Sequence, residues 1–133
     1  MNAIKIVIGI APTTKKNSSR IVMRGRRPIL LPSEQYIRYE RDAGWFLKQY
    51  AGMNINKPVN IKCIYYMPTR RRVDLTNLLE STDDVLVKYN ILSDDNRDVV
   101  ATHDGSLVLY DKENPRCEIE ITYLENYEQW KKH

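Results

Sequence analysis

From Ala3 to Ile10 the chain alternates Ile and Val with smaller or polar residues, the two-residue repeat of a strand with one buried face. The stretch APTTKKNSSR reads as a polar loop, and Arg20 to Met23 and Pro28 to Leu31 read as two short strands or extended arms around the basic turn Arg24, Gly25, Arg26, Arg27. Ser33 is placed to cap a helix running to about Tyr50, with Tyr36, Ala43, Phe46, Leu47 and Tyr50 along one face. NINKP closes that helix. Val59 to Met67, rich in β-branched and aromatic residues, predicts a strand ended by Pro68. Helical spacing returns from Leu75 to about Tyr89 through Leu75, Leu78, Leu79 and Leu86, while Thr76, Glu80 and Asp84 stand four apart on an acidic stripe. Asp98 to His103 and Ser106 to Tyr110 flank Asp104-Gly105, which predicts a tight hairpin. Cys117 to Tyr123 reads as a last strand and Asn126 to Lys132 as a short terminal helix. The expected fold class is α+β, with two main helices packed on one mixed or antiparallel sheet in a single domain over residues 1–133.

Charge changes this picture more than composition does. Residues 1–73 carry 15 Lys and Arg against 3 Asp and Glu, residues 74–98 carry 2 against 7, and residues 99–133 carry 4 against 7. A basic first half suits a polyanionic partner, because neutralising phosphates releases counterions; the competing reading is a solvated basic face. Cys63 and Cys117 lie far apart inside apolar segments, outside any CxxC or Cys/His cluster, and are expected to be buried free thiols. The apolar run NAIKIVIGIAP is too short to span a membrane and contains Lys5, so a cytoplasmic protein without a membrane partner is expected.

The chemistry concentrates in RRRVDLTNLLESTDDVLVKYNILSDDNRDVV, residues 70–100, where three arginines stand directly before a carboxylate-rich helix. Asp74 opens that helix and Asp94 and Asp95 lie on the turn after it, some 20 Å apart along the axis. The two sites meet only if the chain beyond Asp95 folds back beside the strand ending at Met67. Carboxylates so gathered repel unless a cation sits between them, and hard oxygen donors suit Mg²⁺ or Mn²⁺. Arginines to hold a phosphodiester beside an ion that polarises it would make a hydrolytic site. The plainer reading is also open: Asp74 as an N-cap, SDDN as an ordinary turn, Glu80 and Asp84 as a solvated helix face.

The string MPTRRRVDLTNLLESTDDVLVKYNILSDDNRDV resembles the RusA family of Holliday junction resolvases, in which a strand ends in proline and arginines, DxDN opens a helix and a DD turn precedes the next strand. PTTKKNSSR followed by LPSEQYIRYER is similar to that family's Pro/Asn/basic loop before its first helix. Gram-positive bacterial and phage or prophage members, with DLTN and a later DGS and YDKENPR segment, look most similar. The resemblance implies a homodimeric, Mg²⁺-dependent endonuclease (Mn²⁺ as the alternative ion) that cuts paired strands of a four-way DNA junction in recombination and repair, with no small-molecule cofactor. By position it implies Asp74 and Asp95 as metal-binding and catalytic aspartates, and Lys15, Lys16, Asn17, Arg70, Arg71, Arg72 and Asn77 as DNA-contacting residues. Two residues depart from the pattern. Thr76 replaces the second aspartate of DxD, and Glu80 replaces a catalytic lysine; one turn from Thr76, Glu80 could return a carboxylate as metal ligand and catalytic residue. Lys15, Lys16, Lys88 and Lys112 are the candidates for the missing cation. Since both departures fall on the catalytic pattern, a branched-DNA-binding protein with weakened catalysis is the alternative function.

Two further readings complete the set. His103, beside a turn, is expected to be structural, and of Tyr65 and Tyr66 one must face the core. Lys112 and Arg116 are secondary candidates for the DNA surface.

Overall fold

The computed structural model describes residues 3–15 and 19–125, so the expected terminal helix after Glu125 lies outside the described residues. Strands β7 (Arg116–Tyr123) and β4 (Val59–Met67) form the centre of a five-stranded sheet with β1 (Ile4–Ile8) at one edge, and β7 is antiparallel to both β1 and β4. β5 (Val100–Thr102) and β6 (Leu107–Tyr110) complete it along the outer edge of β4. β2 (Ser19–Arg24) and β3 (Arg27–Pro32) pair only with each other. Helices α1 (Glu34–Leu47) and α2 (Leu75–Lys88) lie on one face, as the α+β expectation has it.

The alternation in the strands sets the two faces. Val59, Ile61, Cys63 and Tyr65 of β4 meet Cys117, Ile119 and Ile121 of β7 and Ile6 and Ile8 of β1 in one core, into which α1 puts Tyr36, Tyr39, Ala43 and Leu47 and α2 puts Leu78, Val85 and Leu86. Both cysteines are buried free thiols. On the other face, register places Lys5, Glu120 and Lys62 side by side across three strands, an alternation of charge that solvates the sheet. Among the described residues no helix is long and apolar enough to cross a membrane.

Helix α1 begins where Ser33 Oγ accepts a hydrogen bond from the Tyr36 amide at 3.1 Å, and its last turn tightens into a 3₁₀ turn over Lys48–Tyr50. Asn90, at φ +59°, ends the turn after α2 in the left-handed region that asparagine tolerates. The two helices meet at Gly44, where the Tyr89 ring lies across the α1 backbone and donates from its hydroxyl to the Glu40 carbonyl at 2.8 Å. Lys88 reaches back to pair with Glu40.

Asp104-Gly105 does not make the expected hairpin. β5 and β6 both run parallel to β4, one after the other, with Val59 opposite Val100 and Ile64 opposite Leu107. The turn is an outward loop in an edge that keeps its direction. Asn60 holds it: its Oδ1 accepts from the Asp104 amide at 2.7 Å and from Thr102 Oγ1 at 2.5 Å, and its Nδ2 donates to the Asp104 carbonyl at 3.2 Å. Ser106 Oγ then accepts from the Cys63 amide at 3.0 Å. A side chain on the neighbouring strand has taken over backbone groups that a hairpin ladder would have paired.

A Cβ added at Gly44 would stand 2.7 Å from the Tyr89 hydroxyl and 2.8 Å from its ring. Gly44→Ala should therefore swing Tyr89 out and lose its bond to Glu40, a cost of about 1–3 kcal/mol set against about 1 kcal/mol of helix propensity gained. Urea unfolding should show a net loss; a gain would mean the helix contact yields without cost.

Candidate functional site

Pro68 ends β4, and an extended segment carries Thr69, the three arginines and Val73 to the start of α2. Arg70, Arg71 and Arg72 are all exposed, yet they do not act alike. Arg71 and Arg72 line a cleft of about 380 Å³ with Thr13 and Thr14 of the N-terminal loop and Gln35 of the first turn of α1. Arg70 turns away, its guanidinium 4.0 Å from the centre of the Tyr110 ring on β6. The N-terminal loop is fixed to α2 because the Lys15 amide donates to the buried Ser81 Oγ at 2.9 Å. Thr13, Thr14 and Gln35 are cleft residues that sequence reading missed; a polar loop and a helix start carry no signal of what they face. Lys16 and Asn17 lie outside the described residues.

Asp74 occupies the N-cap of α2, but its side chain makes no capping bond. Its Oδ2 accepts instead from Asn77 Nδ2 at 3.3 Å, so the carboxylate is exposed and aimed by Asn77 while the helix amides find no partner in it. Thr76 and Glu80 follow on the exposed stripe, and Asp84 is half-buried. Burial raises the Asp84 carboxyl above its ordinary range, as do the charges of Asp95, Glu80 and Asp83, while Lys15, with Nζ 3.9 Å from Oδ2, pulls the other way. Asp95 is exposed, its amide bonded to Asp94 Oδ1 at 2.7 Å.

The topology ties the segments on either side of Asp95 to the chain around the start of β4. Leu92 bridges to Ile55 and the Ser93 amide bonds the Ile55 carbonyl at 2.9 Å, so the chain after α2 runs beside the segment that leads into β4. It then enters β5 beside Val59, at the start of β4, whereas Asp74 follows the Met67 end. The charge of Asp95 reaches Asp84 and Asp83, where it adds to the effect of burial in raising both carboxyls. Asp84 stands ten residues along α2 from Asp74, about 15 Å of helix axis. The chain beyond Asp95 folds back as β5 and β6 beside β4, the strand that ends at Met67, as a meeting of Asp74 and Asp95 was expected to require.

Among the described residues no three His, Cys, Asp or Glu side chains are grouped to hold a metal ion. The donors nonetheless fit a hard divalent cation in kind. They are exposed carboxylates whose repulsion at Asp84 is answered only in part by Lys15. Mg²⁺ commonly takes one or two carboxylates and completes its shell with water and substrate phosphate, so a closed protein cage is not required. Of the candidate lysines, Lys15 is set against the acidic stripe, Lys88 is committed to Glu40, and Lys112 lies exposed on the loop before β7.

His103, expected to be structural, meets a partner twenty residues upstream. His103 Nε2 lies 2.9 Å from Asp83 Oδ2 and its Nδ1 lies 2.9 Å from the Ile61 carbonyl oxygen. A carbonyl can only accept, so Nδ1 carries a proton, and one further proton lies between Nε2 and the carboxylate. Burial opposes the charged imidazole, but the Asp83 hydrogen bond and charge, with the Ile61 carbonyl, outweigh it and raise the His103 pKa. Burial likewise raises Asp83. Asp83 is 9% exposed and its Oδ1 is buried without a hydrogen-bond partner.

Two secondary DNA candidates change status. Arg116 donates to Glu118 at 2.7 Å and Asp111 at 2.9 Å and stacks 3.7 Å over Tyr66, so its charge is already satisfied and it serves the loop it closes. Lys112 remains exposed. Tyr65 is the core-facing member of its pair, its hydroxyl 2.7 Å from Thr82 Oγ1.

The His103 shift has a stability consequence whose sign is set by its direction. The folded pKa lies above the ordinary 6.5, so the stabilisation is complete below that value and is lost as pH rises through the folded pKa. Urea midpoints should therefore fall from about pH 6.5 upward, and His103→Gln should flatten that slope. An unchanged slope in the variant would assign the dependence elsewhere.

No curated protein matches the chain. The family model for Endodeoxyribonuclease RusA matches residues 10–122, which takes in the N-terminal loop, the ribbon of β2 and β3, the arginine cleft, α2 and the Asp94-Asp95 turn. A family match over most of the sequence, on a fold that mounts exposed arginines next to a carboxylate-bearing helix, establishes that the chain belongs to the RusA family of Holliday junction endodeoxyribonucleases.

Proposed function

We propose that this protein is a Mg²⁺-dependent endonuclease that resolves four-way DNA junctions by paired strand cleavage, working as a homodimer so that two sites address two strands. The observation that carries the reading is the uncapped Asp74 carboxylate, exposed and aimed by Asn77 beside the cleft of Arg71 and Arg72. Arginine forks bind phosphate oxygens in pairs and so hold a backbone in register as well as in place. In this reading Asp74, Glu80 and Asp95 are the metal-binding and catalytic carboxylates, and the Thr76 hydroxyl is a neutral donor between the first two. Asp84 joins them because its charge is coupled to both Glu80 and Asp95. A bound divalent ion would polarise the scissile phosphate and lower the pKa of water at that point. The chain's own residues do the rest: Arg71 and Arg72 draw the phosphate into the cleft, Asn77 orients Asp74, and Lys15 offsets negative charge at Asp84.

The second reading, a junction-binding protein with weakened cleavage, is favoured by one observation. The position of the family's catalytic lysine is Glu80, and two of the candidate lysines are held elsewhere, Lys15 at Asp84 and Lys88 at Glu40. Such a protein would keep the arginine cleft and lose the reaction.

An assay on a synthetic four-way junction, with and without Mg²⁺, separates these readings. Symmetric metal-dependent nicks are expected; a shifted but intact junction would select the second reading, and no shift at low salt would overturn both. Asp74→Asn and Asp95→Asn should each lower cleavage by about 100-fold or more while binding is retained or strengthened. If Asp84→Asn removes cleavage and Asp74→Asn leaves it, the ion is bound at the Asp95 end of α2. Glu80→Gln with unchanged turnover would remove Glu80 from the ligand set.

A further inference from the structure

The ribbon of β2 and β3 is unlike the rest of the molecule. Its strands pair with each other and not with the five-stranded sheet. Register puts Ile21 opposite Leu30 and Met23 opposite Pro28, so these four side chains share one face. Ile21 is 73% exposed, Leu30 69% and Met23 59%, with no charged residue among them. The opposite face carries Val22, Ile29 and Leu31, all half-buried. The tip is Arg24, Gly25, Arg26, Arg27: Gly25, at φ +61°, takes the first position of a two-residue turn and lets three arginines stand together. No Asp or Glu occurs before Glu34.

An apolar face of this kind on a two-stranded ribbon, which is marginal alone in water, implies an occupant. The charge selects it. In a pair of ribbons laid face to face four side chains fall far short of the roughly 800 Å² per partner of a stable interface, and the tip arginines, with no carboxylate on the ribbon to answer them, would stay unmatched. A polyanion meets the arginines directly. A two-stranded ribbon also fits a DNA groove, and Ile, Leu, Met and Pro are the side chains that wedge between base steps. Residues on both sides of the ribbon in the chain line the arginine cleft: Pro12, Thr13 and Thr14 before β2 and Gln35 after β3 meet Arg71 and Arg72 there. Each strand of six residues is about 20 Å long.

We infer that this ribbon is a DNA-distorting arm: its tip arginines grip phosphates while Ile21, Met23, Pro28 and Leu30 form an apolar wedge that enters the branch point. There base stacking is already interrupted and insertion costs least. The inference rests on the junction-binding reading above and adds the element that opens the branch.

The test uses the full chain and junctions carrying 2-aminopurine at the branch point, with binding measured in parallel on linear duplex. Wild type should raise the fluorescence of the branch-point base on binding. The triple variant Ile21→Thr, Met23→Thr, Leu30→Thr exchanges exposed side chains for a polar strand former. It should keep wild-type circular dichroism, bind linear duplex within about 3-fold of wild type, lose about 10-fold in preference for the junction and lose the fluorescence rise. A separate variant, Arg24→Gln, Arg26→Gln, Arg27→Gln, should weaken binding to both DNAs and lower the salt slope by about one per phosphate contact removed. If wild type binds junctions and the apolar variant leaves both preference and fluorescence unchanged, the arm inference fails alone. If that variant instead turns a dimer into a monomer with the fluorescence rise intact, the face is an interface between copies and the inference is overturned. If wild type binds no junction, the functional reading and the inference fall together.

Discussion

The Asp83 to His103 pair is the interaction on which the arrangement of the acidic helix depends. It joins three elements at one point: α2 through Asp83, the loop between β5 and β6 through His103, and β4 through the Ile61 carbonyl. Removal of either partner would leave the other's buried polar atoms without a hydrogen bond, which makes the geometry hard to vary. Thr82 adds a second point of attachment through the Tyr65 hydroxyl on β4. With Thr82 and Asp83 turned inward, the helical repeat leaves Thr76, Glu80 and Asp84 on a stripe that faces out. The exposed carboxylates are thus positioned by their buried neighbours.

Opposite charges in this molecule are kept in adjoining compartments and not neutralised pairwise. Arg71 and Arg72 sit in a cleft built by the N-terminal loop and the start of α1, while the carboxylates run down α2. Arginines and acids that belong to the frame are, by contrast, paired off, as Arg116 is with Asp111 and Glu118 and Lys88 with Glu40. A phosphodiester could be drawn to the cleft by charge and yet meet carboxylates that repel it unless a cation intervenes, the electrostatic condition for a metal-assisted nuclease. The ribbon adds the arginines of its tip to those of the cleft, which residues on both sides of the ribbon in the chain, Thr13, Thr14 and Gln35, line with Arg71 and Arg72.

The edge of the sheet shows how side chains can redirect a local signal. Asp104-Gly105 has the composition of a hairpin turn, and Gly105 does adopt φ +87°. Asn60, forty-four residues upstream of Asp104, binds the amide and carbonyl of that residue and lets the strand resume in its former direction. One consequence is that β6 reaches the Met67 end of β4, where Tyr110 receives Arg70.

Read alone, the sequence determined the element types, because strand alternation and helical spacing record one-sided burial directly: both helices, the Ser33 cap, the long strand to Met67, the core side of Tyr65 and the buried thiols all follow from local pattern. It also determined the family, through the arginine-to-DD segment, and hence the class of chemistry. What tertiary structure alone decided were pairings between residues distant in the chain. Among these are His103 with Asp83, Lys15 with Asp84, Thr13 and Gln35 in the arginine cleft, and Asn60 with Asp104. Local periodicity records which face of an element avoids water, but a polar side chain's partner depends on how elements are packed, and that information is spread over the whole core.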